Sequence, residues 1–124
     1  MLRQRARQIV HNIANNPPLI TLVRLIIGES ERFPELGKTF VREIQKPILD
    51  QLTLYLTAQR HVPLADSAIA ARVFVGTLVH YLVVQKLMHG DAIIPVDGDR
   101  LVDGLVSLLV GAETRIGPES REPS

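Results

Sequence analysis

The chain has 124 residues, 46% hydrophobic and 22% charged, with 14 Lys and Arg against 13 Asp and Glu and no cysteine. That length makes one ordinary domain, and the missing cysteine excludes a disulfide framework, a thiolate zinc site, an iron–sulfur cluster and a Cys nucleophile. A net charge of +1 and an aromatic share of 4% without Trp argue against strong nucleic-acid binding and base-stacking platforms.

Charge is unevenly spread. Arg3, Arg5, Arg7 and Arg24 give the first 28 residues an excess of basic charge with no acid. This start lacks the serine enrichment of an organellar presequence and the long apolar stretch of a secretory signal. It is read as a solvated helix, Leu2 to Ile13, that continues something upstream. Asn15-Asn16-Pro17-Pro18 ends it, because Asn favours caps and Pro fits only the start of the next helix. The second helix, Pro18 to Arg32, is apolar at Leu19, Ile20, Leu22, Val23, Leu25, Ile26 and Ile27, enough to be buried on several sides.

Pro34 starts a long third helix, Glu35 to Gln59, with an inward stripe of Leu36, Phe40, Ile44, Ile48, Leu52, Tyr55 and Leu56. Pro47 in its middle removes a backbone hydrogen bond, which predicts a kink or a split at Lys46 and open space beside it. His61 to Ala65 is a connection. Asp66 caps a fourth helix, Ser67 to His89, which Gly90 stops. A loop from Asp91 to Asp97 leads to a fifth helix, Asp99 to Arg115, capped by Asp97 or Asp99. Gly117 and Pro118 end it before a polar tail, Glu119 to Ser124. The fold class is all-α, a bundle of about five helices.

The fourth helix has two apolar faces. One carries Ala70, Phe74, Leu78, Tyr81, Leu82 and Met88; the other carries Val73, Gly76, His80, Val83, Val84 and Leu87. A surface helix needs only one such face. The fifth helix has a core stripe of Leu101, Leu105, Leu109, Ala112 and Ile116, flanked by Gly104, Ser107 and Gly111. Interior Gly costs a helix about 1 kcal/mol relative to Ala, which close approach of another helix would offset. The expected dimer interface is therefore Val73, Gly76, His80, Val83, Leu87, Gly104, Ser107, Leu108 and Gly111, as a two-fold four-helix bundle. Ala68 to Val84 is apolar but interrupted by Arg72 and His80, and it reads as a core helix rather than a transmembrane span.

No histidine pair has metal-ligand spacing, and neither a phosphate loop nor a GxSxG turn occurs. Asp97, Asp99 and Asp103 resemble a cation cluster but depart from the calcium-loop pattern, and helix capping explains two of them. The expectation is no enzyme, no cofactor and no metal. Arg24, Tyr55, Thr77 and Tyr81 are polar residues on buried-looking faces, and they are the candidate ligand-binding residues of an apolar pocket. The plainer expectation for Arg24 is an ion pair with Glu29 or Glu31, and for His80 a satisfied core or interface position.

The run from Leu22 to Leu36, containing Gly28-Glu29-Ser30-Glu31-Arg32-Phe33-Pro34-Glu35-Leu36, resembles the C-terminal domains of TetR-type transcriptional regulators. Ala70-Ala71-Arg72-Val73-Phe74-Val75-Gly76 is similar to the Ala-Ala-Arg-x-Phe segment of the same family. The resemblance covers about Ile9 to Ile116. It implies a cytoplasmic all-α regulatory domain that dimerises through its last two helices and binds a small apolar effector.

The DNA-binding head of that family has no counterpart in these residues, so no DNA contact is carried over to any of them. On this basis residues 1–16 are the remnant of a linker helix, 17–116 the regulatory domain and 117–124 a flexible tail. The expected partners are a second copy, a full-length relative in mixed dimers, and an effector; DNA and membrane are not. The alternative is a helical protein–protein interaction scaffold with no small-molecule effector.

Overall fold

The computed structural model describes residues 2–58 and 66–116, with side chains from residue 3 to residue 109. Helix α1 spans Leu2–Ala14. The Asn15 side chain donates to the His11 carbonyl, and the Asn16 side chain accepts from the Leu19 amide at 3.1 Å. The Asn-Asn-Pro-Pro run thus closes one helix and caps the next, α2, Pro17–Glu29. Phe33 precedes α3, Pro34–Phe40, which passes through a π-helical turn, Val41–Gln45, into α4, Lys46–Ala58.

The predicted third helix is this whole rod, and Pro47 explains its π turn. The Pro47 ring nitrogen cannot donate to the preceding turn. The helix widens just before it, and the Lys46 amide bonds to the Val41 carbonyl five residues back. Instead of splitting, the rod absorbs the defect as a bulge.

Asp66 caps α5, Ser67–Tyr81, by accepting from the Ile69 amide. The helix continues as a second π segment, Leu82–Leu87. His89 then takes the left-handed conformation, with φ 59°. The stop expected at Gly90 therefore sits one residue earlier. Gly90 is needed for a different reason: a Cβ there would lie 2.6 Å from the Val84 carbonyl oxygen. A short 3-10 turn, Gly90–Ala92, follows. Gln85 is buried, and its side-chain amide donates to the Ile94 carbonyl, holding the loop down. Helix α6, Gly98–Ile116, is capped by Asp97, whose carboxylate accepts from the Arg100 amide. Among the described residues there is no strand, and Ala92–Val96 is not one. Among the described residues the fold is all-α, with five helical rods. The connection His61–Ala65 and the polar tail lie outside the described residues.

The core is two joined clusters. In the first, Ala6 and Val10 of α1 pack on Phe74 of α5 and on Val102, Leu105 and Val106 of α6. In the second, Leu56 of α4 packs on Ala70 and Ala71 of α5. Leu52 and Leu109 touch both. Residues 1–16, expected as a linker remnant, thus supply core side chains. α6 is buried over a wider arc than its Leu stripe predicts, because α1 and α5 both cover it. Val102 is fully buried while Leu101 is only half-buried.

Ser67–Leu87, with a mean hydropathy of 1.7 over its best window, is long and apolar enough to cross a membrane by length and composition. In this fold it supplies Ala70, Ala71, Phe74 and Leu82 to the interior.

A cavity between four helices and an open helix face

Aliphatic side chains converge on one flank of this core. α1 presents Ile9 and Ile13; α2 presents Leu19, Val23, Ile26 and Ile27. The α3–α4 rod presents Phe40, Val41, Ile44 and Ile48, and α5 with its π segment presents Val75, Leu78, Val79, Leu82 and Val83. They surround a cavity of about 410 Å³, within the range of roughly 300–1,000 Å³ usual for small-ligand sites. Polar side chains reach the wall only from Ser30 and Gln45. The Ser30 hydroxyl already donates to the Ile26 carbonyl one turn back. The π turn forced by Pro47 supplies Val41, Ile44 and Gln45, so the expected open space beside that proline lies within this wall.

The long apolar stripe of the third predicted helix divides here. Phe40, Ile44 and Ile48 face the cavity, while Leu52 and Leu56 enter the core. The second helix is not buried on several sides as expected: only Ile26 is buried, Leu19, Val23 and Ile27 border the cavity, and Leu22 and Leu25 are exposed.

The four polar candidates lie off this wall. Arg24 is exposed and donates to the Leu87 carbonyl at 3.0 Å, tying α2 to the end of the second π segment. It pairs with neither Glu29 nor Glu31; Glu29 pairs with Arg32. Thr77 donates to the Val73 carbonyl within its own helix. Tyr55 packs beside Leu56, Ala70 and Ala71 with the Arg5 guanidinium 5.8 Å from its ring centre. Its hydroxyl is buried without a hydrogen-bond partner among the described residues. Tyr81 packs on the first core cluster. Burial, then the charges of Asp97, Asp91 and Asp99, push its phenol above the ordinary value.

The dimer candidates separate into two groups. Val73, Gly76 and His80 on α5, and Gly104, Ser107 and Leu108 on α6, are exposed, Leu108 at 71%. A Cβ added at Gly76 or Gly104 would meet nothing within 4 Å. Val83 and Leu87 are half-buried, and Val83 lines the cavity. Val83 follows Val75 and Val79 at steps of four, so ordinary helical phase brings it to the cavity wall. Met88, placed by periodicity on the core face, lies past the π segment, which breaks the helical phase, and is 70% exposed. Ser107 also accepts from Arg3 at 3.1 Å. Gly111 lies outside the residues whose burial is described.

The aspartates of the last helix are occupied separately. Asp97 caps the helix, Asp99 lies 3.3 Å from the His11 imidazole, and Asp103 binds Arg7 through both carboxylate oxygens. Hydrogen bonding from Arg7, ahead of its charge, holds the Asp103 carboxyl below the ordinary range, and Arg3 contributes in the same direction. Among the described residues no group of three or more acids or histidines is placed to hold a metal ion.

Residues 1–112 match the family described as AefR-like transcriptional repressor, C-terminal domain, and the chain belongs to that TetR-type family. The family is regulatory rather than enzymatic, and its transcriptional role is intracellular. No curated protein and no solved structure matches the chain significantly.

Proposed function

We propose that this chain is the ligand-sensing and dimerisation domain of a TetR-type repressor. The observation that carries the proposal is the 410 Å³ cavity, whose wall is apolar except for Ser30 and Gln45. Such a wall suits a small, largely apolar effector, which gains by leaving water while few polar groups need to be satisfied. The match to the family of repressor C-terminal domains supports this role.

Dimerisation is supported by the strip of Val73, Gly76, His80, Gly104 and Leu108. Its glycines leave room for a second helix pair. The partner is a second copy of the chain, or a longer relative in a mixed dimer.

The test is a thermal-shift screen with lipophilic compounds, since a ligand selective for the folded state raises the melting temperature. Hits are expected, and they should be lost in Ile44→Trp, which fills the cavity. Hits that survive Ile44→Trp and Val79→Trp alike would contradict the cavity assignment. A second experiment is light scattering at micromolar concentration, with dimers expected for the native chain and monomers for Leu108→Arg.

A further inference from the structure

The cavity is apolar, but the helix face beside it is not. A shallow recess lined by Gly37, Lys38, Val41, Arg42 and Lys46 adjoins it. Gly37 and Val41 belong to both walls, so the two spaces share an edge along the start of the α3–α4 rod. Three cations line the recess, and no acid lines either space. Glu35 pairs with Lys38 at 3.6 Å and Asp50 with Lys46 at 2.7 Å. Arg42 has no ion pair among the described residues. Gln45, a cavity-wall residue, belongs to the same π-helical turn as Arg42.

The geometry points to an amphipathic ligand with an aliphatic body and an anionic head, the body in the cavity and the head at Lys38, Arg42 and Lys46. This rests on reading the cavity as the effector site and adds the charge class of the effector. An uncharged hydrocarbon would use the cavity and leave the cations to solvent. A cationic amphiphile would bring like charge to Arg42. An anionic head gains charge-assisted hydrogen bonds, of which a planar guanidinium can give two in parallel.

The experiment compares three probes of equal chain length, dodecanoate, dodecanol and dodecyltrimethylammonium, below their micelle-forming concentrations. Calorimetric titration into the whole chain gives their affinities. Dodecanoate should bind about tenfold more tightly than dodecanol, the scale of one good charge-assisted contact, and the cationic amphiphile should bind least. The triple variant K38Q/R42Q/K46Q should bind dodecanol unchanged and lose the preference for dodecanoate. Equal affinity for dodecanoate and dodecanol, or a preference that survives the triple variant, would overturn the anionic-head assignment while leaving the cavity reading intact. Failure of all three probes to bind, or binding unaffected by both Ile44→Trp and Val79→Trp, would overturn the cavity reading as well.

Discussion

Phe74 and Ile26 are both apolar residues in the middle of apolar helices, yet their surroundings differ. Phe74 lies among Ala6, Val10, Val102, Leu105 and Val106, all nearly inaccessible. Ile26 is the one buried residue of α2, and beyond it lies the cavity. The side formed by α1, α5, α6 and the end of α4 is filled; the side formed by α2, α3 and the π turn is not. α3 and its π turn contain no buried residue. Similar aliphatic side chains thus serve as packing on one side and as an unfilled wall on the other. The composition of a helix does not separate these roles; what faces it does.

The largest effect should come from truncating the filled side. Phe74→Ala removes a ring from a close-packed cluster and should cost about 3–5 kcal/mol in denaturant unfolding. Ile44→Ala, on the cavity wall, should cost under about 2 kcal/mol, because much of the side chain already lacks neighbours. Comparable losses at the two positions would erase the distinction between the halves.

The glycines give a second comparison. Gly90→Ala drives a methyl group against the Val84 carbonyl and should destabilise by about 1–3 kcal/mol. Gly104→Ala enters open space and should stabilise the isolated subunit by up to about 1 kcal/mol. Weaker self-association in light scattering, despite that gain, would identify Gly104 as a dimer contact.

The sequence made the five rods legible because each boundary has a local chemical cause. Asn16, Asp66 and Asp97 cap where their side chains can reach the third amide beyond them. Proline placed the disturbance in the long rod, but the outcome depended on whether the helix broke or widened, which is a matter of packing. The π segment that follows α5 explains the clearest error of phase. Periodicity assumes one angular step per residue, and the segment at Leu82–Leu87 departs from it. That is why Met88 came to solvent, whereas Val83 follows Val75 and Val79 at steps of four onto the cavity in ordinary helical phase.

The cavity wall was hidden for another reason. A search for polar residues on apolar faces selects Arg24, Tyr55, Thr77 and Tyr81, whereas this wall is made of residues indistinguishable in sequence from core. The excess apolar surface of α2 was the available signal.

The smallest effect concerns how the two sides are linked through α1. Its Ala6 and Val10 enter the core, its Ile9 and Ile13 line the cavity, and Arg7 grips Asp103 of α6. Because the folded Asp103 carboxyl titrates below its unfolded value, its contribution to stability is fully present above the unfolded value. It is lost as pH falls through the folded one. Asp103→Asn should therefore lower the melting temperature near neutral pH. The gap from the native chain should close on acidification below about pH 4. A gap independent of pH would show that the Arg7 contact adds nothing electrostatic.

The central claim, that one flank is an unfilled apolar site beside a filled core, is tested most directly with methyl NMR under xenon pressure. Xenon enters dry apolar cavities without needing any polar contact. Saturable shifts are predicted for the methyl groups of Ile26, Ile44, Leu78 and Leu82, with Val102 and Val106 nearly unmoved. Shifts that fail to saturate, or that centre on Val102 and Val106, would contradict it.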